Sequence, residues 1–132
     1  MEDLHNVQLY TRGQVWCQHI DPETAKYEID RKSPILTKSR PVLIVSPNFI
    51  NRSEKLLRVV PLTHGGDKSI PTNIEITCPD GDVGLIECIQ ARPCACIDII
   101  PGSYKFTVSD EIMAKVEKGL MKVDGMEKYL LS

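Results

Sequence analysis

Two short apolar runs, each with a lone polar group at one end, constrain this chain more than anything else in it. The first is Ser39-Arg40-Pro41-Val42-Leu43-Ile44-Val45-Ser46, and the second is Leu56-Leu57-Arg58-Val59-Val60-Pro61-Leu62-Thr63. Runs this short and this rich in Val, Ile and Leu read as strands of a buried sheet. A buried sheet holds the groups at its strand ends rigidly, so an arginine at one place and a hydroxyl at another can flank one phosphate. Guanidinium offers a planar fork of donors suited to phosphate oxygens. A threonine hydroxyl can donate to a reacting oxygen or accept from it.

The remaining pattern agrees with a small β structure. Gly13 to Ile20 alternates Val15, Cys17 and His19 against Trp16, Gln18 and Ile20, as a strand does. Asp21-Pro22-Glu23-Thr24 is turn chemistry, and the mixed, charged residues 23–38 predict a long loop. Pro47 to Arg52 predicts a short helical turn, and His64-Gly65-Gly66-Asp67 breaks the chain. Asn73 to Cys78 and Leu85 to Gln90 read as strands around Pro79-Asp80-Gly81-Asp82, and Ala95 to Ile100 as another, ended by Pro101-Gly102. The period then changes. Ser109 is placed to cap a helix, and Asp110 and Glu111 suit its positive end. Ile112, Met113, Val116, Leu120 and Val123 recur at helical spacing, Asp124-Gly125 can stop the helix, and a short turn follows from Met126 to Leu131. The expectation is a single domain over 1–132, mainly β with a C-terminal helical segment over 109–131. About six short strands would form a strongly bent sheet or barrel closed by the helix. Residues 1–11 read as a polar lead-in.

Composition narrows the function. The chain has 132 residues, 42% hydrophobic and 26% charged, which suits one globular core. A net charge of −2 counts against a generic duplex binder, so any RNA contact would rest on a few placed cations. No apolar stretch approaches the roughly 20 residues of a membrane span, and Met1-Glu2-Asp3-Leu4-His5 is no secretory signal. Five cysteines without framework spacing point to reduced thiols in the cytoplasm. Cys94-Ala95-Cys96 lies too close for a zinc knuckle, and His5, His19 and His64 are scattered, so no metal is expected. Packing of both thiols on one strand face explains that pair better. Gly65-Gly66 lacks the Lys-Ser/Thr of a nucleotide-binding loop, and no cofactor is expected.

Five pieces stand in an order that carries a family resemblance. They are Arg12-Gly13-Gln14-Val15-Trp16, Ser39-Arg40-Pro41-Val42-Leu43-Ile44-Val45, Val60-Pro61-Leu62-Thr63, Ile70-Pro71-Thr72-Asn73-Ile74-Glu75-Ile76 and Gly84-Leu85-Ile86-Glu87-Cys88-Ile89-Gln90-Ala91-Arg92. Over most of residues 12–100 the chain resembles the MazF/PemK/Kid toxins of type II toxin–antitoxin systems. The resemblance implies a CcdB/MazF-like, SH3-like barrel with a C-terminal helix, assembled as a homodimer. It also implies a sequence-specific, metal-independent endoribonuclease that cleaves single-stranded RNA. The ribose 2′-hydroxyl would attack its own 3′-phosphate, leaving 2′,3′-cyclic phosphate and 5′-hydroxyl ends. The implied antagonist is a cognate antitoxin whose acidic tail lies in the RNA groove.

By the same resemblance Arg40 and Thr63 match the family's catalytic pair. Gln90 and Arg92 match a Gln-x-Arg pair, and Asn51 and Arg52 an Asn-Arg pair, which makes these four the RNA-binding candidates. His64 follows Thr63 where the family has a small hydroxyl residue, and it is a third catalytic candidate as acid or base. Two departures stand out. Glu87 and Ile89 occupy the segment where Kid-like members carry Arg and Asp, and they cannot fill those acid–base roles. Ile35-Leu36-Thr37-Lys38-Ser39 lacks the carboxylate that MazF-like members have before the motif arginine, and the loop from Asp21 to Arg40 is longer than usual. A catalytically silent module binding RNA or a peptide is the rival reading. A gyrase inhibitor of the CcdB branch is a third, though Met126-Glu127-Lys128-Tyr129-Leu130-Leu131-Ser132 lacks that branch's Trp-Gly-x-Ile ending.

Overall fold

Strand β3 (Leu56–Thr63) organises the molecule, because every other part of the sheet is arranged about it. The computed structural model describes residues 10–19, 39–53 and 55–131; the expected lead-in up to residue 9 and most of the expected loop, over 20–38, lie outside the described residues. The other strands are β1 (Gln14–His19), β2 (Ser39–Ile44), β4 (Asn73–Thr77), β5 (Val83–Glu87), β6 (Arg92–Ala95) and β7 (Phe106–Thr107). A short helix, α1 (Asn48–Ser53), links β2 to β3, and α2 (Asp110–Val123) follows β7. The sheet order is β4-β5-β3-β2-β1-β7, with β6 also on β3. Every ladder is antiparallel.

β3 serves two partners in turn. Leu56 to Val59 pair with β6, and Leu62 and Thr63 pair with β5. Pro61 sits at the changeover and has no N–H to give to a ladder, which suits a strand that changes partners there. The resulting curl gives the sheet two apolar sides. Val15, Leu43, Val60, Leu62, Ile74 and Ile86 pack beneath Met113 and Val116 of α2. Trp16, Val42, Ile44, Leu57, Val59 and Cys94 form the second cluster. Each fully buried Leu, Ile or Val side chain contributes about 1.5–3 kcal/mol relative to exposure.

The helix begins and ends as its residues demand. The Ser109 hydroxyl accepts from the Ile112 N–H at 3.2 Å. Gly125, at φ +73°, supplies the left-handed residue after the last turn. In the middle Gly119 lets α2 press on the chain after β5, since a Cβ there would lie 2.7 Å from the Cys88 sulfur. Among the described residues no helix is long and apolar enough to cross a membrane.

Three expectations change. The strand expected through Gln90 stops at Glu87, and Cys88–Gln90 forms a 3-10 turn. The chain has to pass from the Leu62–Thr63 half of β3 to its Leu56–Val59 half, and the turn spans that gap. The strand expected from Ala95 to Ile100 is a 3-10 turn over Cys96–Asp98 after β6, with a single bridge between Gln18 and Ile99. Cys94 and Cys96 still meet the same cluster, but through this turn rather than by alternation along one strand. Finally β7, which raises the strand count to seven among the described residues, has only two residues, too few to show a period.

Candidate active site

One sheet face turns polar where the second apolar cluster ends. Gln18 pairs with Arg40 across the β1–β2 ladder. The β2–β3 ladder ends at Val42 opposite Pro61, two residues short of both Arg40 and Thr63. Thr63 pairs with Leu85, and Asn73 with Glu87. Side chains alternate along strands, so Gln18, Arg40, Thr63, Glu87 and Asn73 share the face of Trp16 and Val42. Arg92, opposite Val59, belongs to it too.

Gln18 and Glu87 are buried and held, and the other four are half-buried. Gln18 is 9% exposed and accepts from Arg92 Nη2 at 3.0 Å. Glu87 is 8% exposed, and its Oε1 accepts from Gln90 Nε2 at 2.7 Å. The loop after β3 closes on this spot at Gly66, where a Cβ would sit 3.0 Å from Glu87 Oε2, 3.1 Å from Thr63 Oγ1 and 2.9 Å from Leu85 Cδ1. Asn73 Nδ2 ties the loop down by donating to the Asp67 carbonyl at 2.9 Å. The Ser69 hydroxyl and then its N–H bind the Asp67 carboxylate, which lowers that group's pKa. Two buried oxygens, Thr63 Oγ1 and Asn73 Oδ1, have no hydrogen-bond partner among the described residues. Buried polar atoms are normally paired, so these two stand out on this face.

Other candidates are not brought to this face. His64 stands one residue beyond Thr63, and alternation sends it to the opposite side. Its Nδ1 lies 3.1 Å from the Val83 carbonyl. It lines a cleft of about 370 Å³ with Pro41, Leu62, Cys78 and Tyr104. Asn51 is buried with both ends of its amide engaged: Oδ1 accepts from the Ser46 hydroxyl, and Nδ2 donates to the Ser46 carbonyl at 3.0 Å. That fastens α1 to the chain leaving β2. Arg52 is exposed in the last turn of α1, past the end of β2 remote from Arg40. Burial pushes the Cys88 thiol up to about 11 and the Cys94 thiol up to about 12, so neither is a nucleophile at neutral pH.

Gln18, Gly66 and Asn73 were not singled out from the residues, and Glu87 was set aside. A signal existed for two of them. Trp16 and Gln18 alternate onto one face of β1, and Leu85 and Glu87 onto one face of β5.

Comparison with known proteins concerns the fold and the family. An endoribonuclease solved with its cognate antitoxin from a mycobacterial species superposes with a TM-score of 0.68 at 23% identity, covering 89% of this chain and 96% of that one. MazF of Deinococcus radiodurans superposes with a TM-score of 0.68 at 18% identity, over 89% and 98%. At these identities the likeness establishes the fold. Endoribonuclease PemK of Escherichia coli is 35% identical over 85 residues, 61% of this chain, and the match spans 57% of that relative's length. The profile of the PemK-like, MazF-like toxins of type II toxin–antitoxin systems matches residues 11–123, and the chain belongs to that family.

Proposed function

We propose that this chain is the toxin of a type II toxin–antitoxin pair and acts as a sequence-specific, metal-independent endoribonuclease on single-stranded RNA. What supports the reading is that Arg40 and Thr63 share one sheet face at the ends of adjacent strands, and that the buried Thr63 hydroxyl has no partner among the described residues, in a chain of this family. RNA holds its own nucleophile, the 2′-hydroxyl. The protein therefore has to align that oxygen with phosphorus and the 5′ oxygen, and to stabilise the charge of the phosphorane. Arg40 carries that charge. Thr63 donates to a phosphate oxygen. A preorganised donor of this kind is worth about 10²–10³ in rate.

Single strands are the substrate because splayed bases can be read on their edges, whereas a duplex hides them. Gln90 and Arg92, both half-buried beside the site, are the reading and phosphate-holding candidates. We leave Asn51 and Arg52 to the scaffold and His64 outside the chemistry, for the reasons of placement above. The antagonist is an antitoxin whose disordered acidic segment competes with RNA for the Arg40 face. The working form is a cytoplasmic homodimer; Ile89 and Ile97, 62% and 89% exposed, support burial against a second copy.

The test is cleavage of a long single-stranded RNA in EDTA, with Arg40→Ala and Thr63→Ala alongside. Discrete fragments with 5′-hydroxyl ends, absent in both variants, are expected. A folded protein that leaves several RNAs intact would transfer the reading to a silent binding module on the same barrel.

A further inference from the structure

We propose that Glu87 is the proton acceptor of the cleavage step, an assignment that rests on the nuclease reading above.

Glu87 is buried in the sheet face that holds Arg40 and Thr63, at 8% exposure. Gln90 binds one carboxylate oxygen and leaves Oε2 for the other side. Oε2 and the Thr63 hydroxyl oxygen both lie within 3.1 Å of a single point, the place a Gly66 Cβ would take. The two oxygens therefore border one spot, and with no Cβ on Gly66 no side chain of that residue comes between them. A carboxylate on a phosphate-binding face repels RNA in the ground state. Glu87 is the one carboxylate among the groups named on this face, and a positioned base is worth about 10²–10⁴ in rate.

The step balances. Glu87 Oε2 takes the proton of the 2′-hydroxyl as that oxygen bonds to phosphorus. The bond between phosphorus and the 5′ oxygen breaks, and the 5′ oxygen takes a proton from water. The hydroxide left behind is neutralised by the proton on Glu87, which restores the carboxylate. Gln90 acts through Glu87 as a positioning residue, fixing the carboxylate plane so that Oε2 faces Thr63.

The experiment uses the full chain and one RNA oligonucleotide with a mapped cleavage site, under single-turnover conditions. Glu87→Gln keeps the shape and removes the base. Cleavage is expected to fall by about 10² or more. Binding of the same RNA with one 2′-deoxy nucleotide at the cleavage site should be unchanged or tighter, because a negative charge has gone. A sulfur in place of the 5′ bridging oxygen leaves without a proton, and it should not rescue the variant. Rescue by sulfur would make Glu87 the acid and overturn the assignment, as would a cleavage rate within about threefold of wild type. If Glu87→Gln does not fold, Glu87→Asp takes its place: a roughly 10²-fold loss supports the assignment and an unchanged rate overturns it. A wild-type protein that cuts no RNA sinks the nuclease reading and this assignment with it. A wild type that cuts as well as Glu87→Gln sinks this assignment alone.

Discussion

Arg92 donates through Nη2 to the amide oxygen of Gln18 at 3.0 Å, and Gln18 is in turn the cross-strand neighbour of Arg40. The bond joins β6 to β1, two strands that share no ladder among the described residues. Replacing Gln18 with Leu keeps the bulk and removes this acceptor. A loss of about 1–3 kcal/mol in urea unfolding is expected. RNA cleavage should fall further than the lost stability explains, because the wall beside Arg40 changes. An unaltered rate in Gln18→Leu would show that the Arg92–Gln18 bond does nothing for the site.

Gly66→Ala separates the site from the scaffold. The new methyl group meets Glu87 Oε2 and Thr63 Oγ1 at 3.0 and 3.1 Å, while its tightest contact, Leu85 Cδ1, is the movable tip of a side chain. Stability should change by less than about 1 kcal/mol, and cleavage should drop by about 10²-fold. Thermal melting and single-turnover cleavage of the same preparation decide it.

Gly119→Ala acts on the core instead. Alanine favours the helix by about 1 kcal/mol, but its Cβ would meet the Cys88 sulfur at 2.7 Å. Overpacking of that kind costs about 1–3 kcal/mol, so net destabilisation is expected. Cys88→Ala should cost stability alone yet relieve much of the damage in the double variant. A double-mutant cycle in denaturant measures the coupling, and strictly additive losses would refute the contact.

Stability should weaken in alkali. Burial raises Cys88 to about 11 and Cys94 to about 12, against 9.0 for the unfolded thiol. Folding thus favours the protonated thiols. Their contribution is whole below pH 9 and is lost as pH climbs toward those folded values, by up to about 1.4 kcal/mol per pH unit for each. Cys78, Cys96 and Tyr10, also raised by burial, act in the same sense. Urea midpoints between pH 8 and pH 11 should fall, and Cys94→Ala should flatten the slope while lowering the midpoint at pH 8.

His64→Ala should cleave at the wild-type rate, because the ring hydrogen-bonds the Val83 carbonyl on the far face. A loss beyond about tenfold would bring the residue back into the chemistry.

Much of the fold could be read from residue type alone. The Val- and Ile-rich runs became β2 and β3, and Ser109 and Gly125 frame α2 as their conformational preferences require. Pairing was not legible, because nothing local says that Gln18 meets Arg40 or that β3 changes partners at Pro61. Arg40 and Thr63 stand out at the ends of two apolar runs, and the order of five pieces along the chain makes them a pair. His64 follows Thr63 in sequence but lies toward the opposite face, because neighbours along a strand alternate. Alternation with Leu85 puts Glu87 on the face of Thr63, which its residue type alone does not reveal. Asn51 matched a family pair, but its use in fastening α1 to Ser46 depends on a turn that no spacing reveals.

The end of the β2–β3 ladder has a mechanical consequence. Arg40 is stitched to Gln18 on one side, Thr63 to Leu85 on the other, and the last rung between their own strands is Val42 to Pro61. The two groups stand at the tips of two leaves that share a spine but are not sewn together at the edge. Their separation is therefore set by how far the leaves stand open. Whatever changes that opening changes the distance between the guanidinium and the hydroxyl without altering either group.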